Sequence, residues 1–142
     1  MSAADHRAAI GRAAVAFNDP ARREEYFHLY DDGVVFHGFP GIPPGIESVR
    51  QFYAAFWSAF PDAHFTAHDV LGEGDRVAMR FVVEGTHRGD FQGIAPTGRR
   101  VALDGIGVLR FAGGRCVERW TQMDVTGFMQ QLGAAPDAVA AA

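Results

Sequence analysis

Residues 72–124 read GEGDRVAMRFVVEGTHRGDFQGIAPTGRRVALDGIGVLRFAGGRCVERWTQMD. Apolar and polar side chains alternate over long runs here, which is the period of a pleated strand with one buried face. Glu73-Gly74-Asp75 and Ala112-Gly113-Gly114 interrupt the alternation as tight hairpin signals. Taken back to Pro61, the segment holds four strand-like runs, 62–72, 76–89, 99–111 and 115–123, with a longer loop at 90–98. Asp124 stands where it can cap a last helix near 124–132.

Upstream the period changes. Ala8, Ala9, Ile10, Ala13, Ala14 and Phe17 recur at helical spacing and predict a helix over 3–17. Asn18-Asp19-Pro20 ends it, and Asp19 is placed to cap a second helix near 20–30 that brings Tyr26, Phe27 and Tyr30 to one side. Asp31-Asp32-Gly33 reads as a turn and 34–38 as a short strand. Phe39 to Gly45, with three prolines, reads as a rigid loop. Ile46, Val49, Phe52, Tyr53, Phe56 and Trp57 predict a third helix over 46–60. Helices followed by a long meander predict an α+β domain over 1–142: a curved antiparallel sheet with the N-terminal helices on its concave face. The small-residue tail, 133–142, is expected to fray. Such a cup leaves a cavity, the default site for a small molecule.

The bulk numbers agree. A chain of 142 residues with 48% hydrophobic side chains and twelve Phe can fill a core and line an apolar cavity. A net charge of -4 argues against a nucleic-acid footprint. No apolar stretch is long enough for a membrane span, and the N-terminal sequence reads as the start of a cytoplasmic protein. The lone Cys116 lies in a strand-like run and reads as a half-buried core residue.

Several stretches carry a resemblance. Pro61-Asp62 precedes the first long strand, Gly72-Glu73-Gly74-Asp75-Arg76-Val77 turns into the second, and Gly85-Thr86-His87-Arg88-Gly89 precedes Gly93, Pro96, Thr97 and Gly98. Arg110-Phe111, Gly114, Glu118-Arg119-Trp120, Asp124 and Gln131-Leu132-Gly133 follow in order. From about Pro61 to Gly133 the chain resembles the SnoaL-like polyketide cyclase family, within the wider NTF2-like superfamily of cone-shaped domains. The resemblance implies a cofactor-free ring closure or isomerisation of an apolar, polyketide-like molecule by proton transfer. It also implies an acid/base Asp on the last strand and a His or Asn partner on the strand before. Those two positions fall here on Thr121 and Gly107. This departure keeps two rivals in play: a binding protein or scaffold with a relict pocket, and a limonene-type epoxide hydrolase.

Strand parity assigns Leu103, Gly105, Gly107, Leu109, Phe111, Val117, Arg119, Thr121 and Met123 to the cavity face. Arg119 there either steadies a substrate oxyanion or reaches solvent or a helix carboxylate. Asp124 is either an acid/base group or only a helix cap, and His87 either a base or donor at the rim or a solvated turn residue. Thr121 is a candidate donor. His37, Tyr30, Phe52, Phe56, Trp57, Phe91, Leu109 and Met123 are the candidate contacts to substrate. His64 and His68 share a strand face but lack a third ligand, so no metal is expected. On the outer face Arg110 and Glu118 read as a cross-strand ion pair. Trp120, with Ile106 and Val108, reads as a covered patch and hence a homodimer.

Overall fold

The computed structural model describes residues 1–39 and 41–133. Helix α1 spans Ala3–Phe17 and starts with a capping box. The Ser2 Oγ accepts from the Asp5 N–H at 3.2 Å, and the Asp5 carboxylate accepts from the Ser2 N–H at 2.8 Å. Its buried side is Ile10, Ala13, Ala16 and Phe17. The next segment, Arg23–Leu29, is a 3₁₀ helix rather than an α-helix. In that tighter coil residues three apart eclipse one another, which turns Tyr26 and Leu29 inward together. Asp19 does not cap it: its Oδ1 accepts from the Ala21 N–H at 3.0 Å, closing a local Asx turn.

Five strands follow: β1 (Tyr30–His37), β2 (His64–Glu73), β3 (Arg76–Thr86), β4 (Arg100–Ala112) and β5 (Arg115–Met123). Helix α2 (Ile46–Ala59) crosses between β1 and β2, and α3 (Val125–Gln131) closes the described chain. The strand order is β1-β5-β4-β3-β2. The meander β2 to β5 is antiparallel as expected, but β1 lies parallel to β5, so the sheet is mixed. The α2 crossover carries the chain to the far edge, and the meander then returns to β1 with its last strand. Strand β1 also begins earlier than the 34–38 run. Asp31-Asp32-Gly33 lies within it, where the register to β5 shifts.

One parity assignment changes. The register of β4 and β5 slips between Arg110, paired with Glu118, and Phe111, paired with Cys116. The extra residue is Val117, a β-bulge that reverses facing on its N-terminal side. Cys116 is therefore fully buried and Val117 only half so. Beyond the bulge, Arg119 and Thr121 turn inward as parity predicts. The frayed tail expected over 133–142 lies outside the described residues from 134 onward. The sheet stays open, with α1 packed over β2 and β3, α2 beside β1, and α3 against β4.

Candidate functional site

Seven elements and the loop after β1 send side chains into one cavity of about 410 Å³, its open mouth included. Phe17 comes from α1, Tyr26 from the 3₁₀ helix and Phe39 from the loop after β1. Helix α2 contributes Phe52, Tyr53 and Phe56, spaced so that they share its inner face. The sheet supplies Phe65, Phe81, Val83 and Leu103, then Arg119 and Met123 from β5. No Asp, Glu or His lines this cavity among the described residues.

Arg119 is the anomaly in that wall. It is 3% exposed, and no carboxylate lies within ion-pair distance of it among the described residues. Its Nε donates to Thr121 Oγ1 at 2.9 Å and its Nη1 to Tyr30 Oη at 2.8 Å. Tyr26 Oη lies farther from Nη1, at 3.5 Å. The rings of Phe39, Phe36 and Phe81 sit 5.3, 5.5 and 5.7 Å from the guanidinium carbon. Burial works against its charge, while the oxygens of Tyr30, Tyr53 and Tyr26 favour it, and the balance raises its pKa. Arg119 is thus a permanent cation held by neutral hydroxyls and ring faces. A charge in that setting attracts an anion strongly, because the dry surroundings screen little.

The hydroxyls form a chain. Tyr26 Oη is 2.6 Å from Tyr30 Oη, and Tyr26 donates to Tyr53 Oη at 3.1 Å. Burial pushes all three tyrosine pKa values up, so the groups remain neutral phenols. Thr121 replaces the expected carboxylate with an acceptor for Arg119 Nε. Gly107 pairs directly with it, and a Cβ there would stand 2.9 Å from Thr121 Oγ1. Gly107 and Thr121 therefore fit each other sterically.

The candidate residues divide by place. Arg119, Phe52, Phe56 and Met123 line the cavity; Tyr30 and Thr121 stand behind Arg119 as its hydrogen-bond partners. Trp57 and Phe91 pack one layer out, Trp57 on Tyr53 at 5.2 Å and Phe91 on Phe56 at 6.2 Å. Leu109 is fully buried core. Three candidates lie away from the cavity. His87 is fully buried, stacked on Phe60 at 5.4 Å, with Nδ1 accepting from the Thr97 N–H at 3.2 Å. It ties down the 88–97 loop instead of standing at a rim. Asp124 is exposed and caps α3 through the Gly127 N–H at 2.9 Å. His37 is on the outer face, 2.7 Å from Glu118 and stacked on Trp120. Sequence reasoning left out Tyr53, Tyr26 and Phe39 as site residues. The signal for the tyrosines is that a chain with twelve Phe keeps only three Tyr.

The sequence profile of the SnoaL-like polyketide cyclases matches residues 8–132. The chain belongs to the SnoaL-like polyketide cyclase family. The match takes in the helical half as well as the sheet. Among solved structures, the family member is similar to AclR from Streptomyces galilaeus, a proposed hydroxylase (27% identity, TM-score 0.83, 95% of this chain and 100% of that one). It is also similar to TsrD from Streptomyces laurentii (26%, 0.82, 95% and 99%). IdmH from Streptomyces antibioticus, a proposed polyketide cyclase, shares 32% identity at a TM-score of 0.74 over 91% and 99% of the two chains. The fold is the NTF2-like cone, and the family supports a function on a small molecule. No curated protein sequence matches the chain. No described helix is long and apolar enough to cross a membrane.

Proposed function

We propose that this chain is a cofactor-free enzyme that closes or isomerises an apolar, polyketide-like molecule while Arg119 holds the oxygen that becomes negative. The observation that carries this reading is a buried cation with no carboxylate partner among the described residues, in an otherwise apolar cavity. A preformed positive charge aimed at a developing oxyanion lowers the barrier without reorganisation in the transition state. Among the described residues the cavity offers no side-chain base, so the fitting substrates are acidic ones, β-dicarbonyls and phenols, that lose their proton to water. In an intramolecular aldol closure the enolate carbon then attacks the acceptor carbonyl. The new C–C bond forms as the carbonyl π pair moves to oxygen, and that alkoxide takes a proton from solvent.

The missing base also favours a second reading, a binding protein that holds the same anion and leaves it unchanged. An LC–MS assay on an aromatic poly-β-ketone ester separates them. The enzyme reading expects cyclised product with wild type and at least about a hundredfold less with Arg119→Met, the order of loss for one oxyanion donor. Binding by wild type without product leaves only the binding reading.

The outer face supports a homodimer in the same proposal. Ile106 is 59% exposed beside Val108 and Trp120. Light scattering should give twice the 15.4 kDa chain mass; a single-chain mass would rule the dimer out.

A further inference from the structure

All three tyrosines of the chain are joined to the one buried arginine. Counting protons fixes the direction of that chain. A guanidinium only donates, so Tyr30 Oη accepts from Arg119. Tyr30 is 1% exposed, and its own proton has one acceptor among the described residues, Tyr26 Oη. The opposite direction would bury the Tyr30 proton without a partner, which is costly. Tyr30 therefore donates to Tyr26, and Tyr26 to Tyr53. The proton left over is that of Tyr53, which has no acceptor among the described residues and belongs to a side chain lining the cavity.

We propose that Tyr53 is a second substrate-touching donor, giving its hydrogen bond to the same oxyanion that Arg119 neutralises, at the end of a hydroxyl chain polarised by that cation. The inference rests on the oxyanion reading above and narrows its substrate class. The site selects an oxygen that accepts two hydrogen bonds, an enolate or phenolate, over its methyl ether. Each bond in such a chain strengthens the next, so Tyr53 is a better donor than an isolated phenol. It acts as a donor and not a base, because burial keeps its proton in place.

The test uses 4-nitrophenol, whose visible absorption reports whether it is bound as phenol or phenolate. Wild type should bind the phenolate and lower the apparent pKa of the bound probe. Tyr53→Phe should weaken phenolate binding about tenfold and move that pKa back toward the free value, with a preference for the anion remaining. Tyr30→Phe, which does not line the cavity, should cost about two- to threefold by removing the first hydroxyl of the chain. Incorporating 3-fluorotyrosine at position 53 keeps the shape, makes a stronger donor and should tighten binding. A Tyr53→Phe protein with wild-type affinity and spectrum, or a fluorotyrosine protein without change, overturns the proposal. If Arg119→Met loses the anion preference while Tyr53→Phe keeps the wild-type phenolate affinity and bound pKa, the oxyanion reading stands and the Tyr53 role falls. If Arg119→Met binds phenolate like wild type, or wild type shows no preference, both fall.

Discussion

At residue scale the site depends on a charge that the fold holds at a cost. Removing it relieves a buried guanidinium that no carboxylate compensates among the described residues. Apolar replacement of whole buried ion pairs is often neutral or stabilising by about 1–4 kcal/mol, and this cation leaves no described carboxylate behind. Arg119→Met should accordingly melt at or above the wild-type temperature in a thermal scan while losing ligand binding. A melting point many degrees lower would mean that the arginine is structural. Thr121→Asp follows the same logic. It puts a carboxylate at the position where the resemblance implies one, but beside Arg119 Nε, where Thr121 Oγ1 now accepts at 2.9 Å. The new carboxylate should pair with the cation and lower anion affinity, not rescue catalysis. His87 behaves differently. His87→Ala should cost about 2–4 kcal/mol in a denaturant melt, from the cavity and the lost Thr97 bond, with 4-nitrophenol affinity within about twofold. Parity in the sequence placed Arg119 and Thr121 inward. It could not show that Arg119 lacks a carboxylate, because such a partner could have come from any helix. Nor could it tell a rim histidine from a buried one at a strand end.

At element scale two close approaches hold the cavity walls in register. Gly38, with φ of 88°, brings the end of β1 against β5, and a Cβ there would lie 1.8 Å from the Thr121 carbonyl oxygen. Gly38→Ala should open that parallel pairing and destabilise by about 3 kcal/mol or more, since both the backbone conformation and the contact are forbidden. Gly105 leaves space for the Phe81 ring, whose tip would be 2.5 Å from an added Cβ. That ring is one of the three that face Arg119. The helices and the meander were legible from periodicity, because each exposes one face and buries the other. The parallel β1–β5 pairing was not, since alternation carries no information on strand direction. The bulge at Val117 was equally hidden, as one residue gained in register leaves the local pattern intact.

At the scale of the whole molecule, the buried phenols and thiol make stability fall in alkali. Their folded pKa values lie above the unfolded ones: Tyr26, Tyr30 and Tyr53 through burial, and Cys116 pushed up to about 12 by burial. The unfolded chain then releases protons that the folded chain keeps, so unfolding becomes easier as pH rises above about 9–10. Denaturant midpoints should decline above that range, and Tyr30→Phe should make the decline shallower. Cys116 should also resist thiol reagents until the chain unfolds, because it is fully buried and its thiolate is disfavoured.

All of this converges on an open cone whose apolar cavity carries a positive charge, that of Arg119, with no carboxylate partner among the described residues. The most direct measurement is a calorimetric titration of wild type and Arg119→Met with 4-nitrophenolate and, separately, with its methyl ether 4-nitroanisole. Wild type should prefer the phenolate by about a hundredfold, and the preference should disappear in Arg119→Met. Equal affinity of wild type for the two compounds, or an undiminished preference in Arg119→Met, would contradict it.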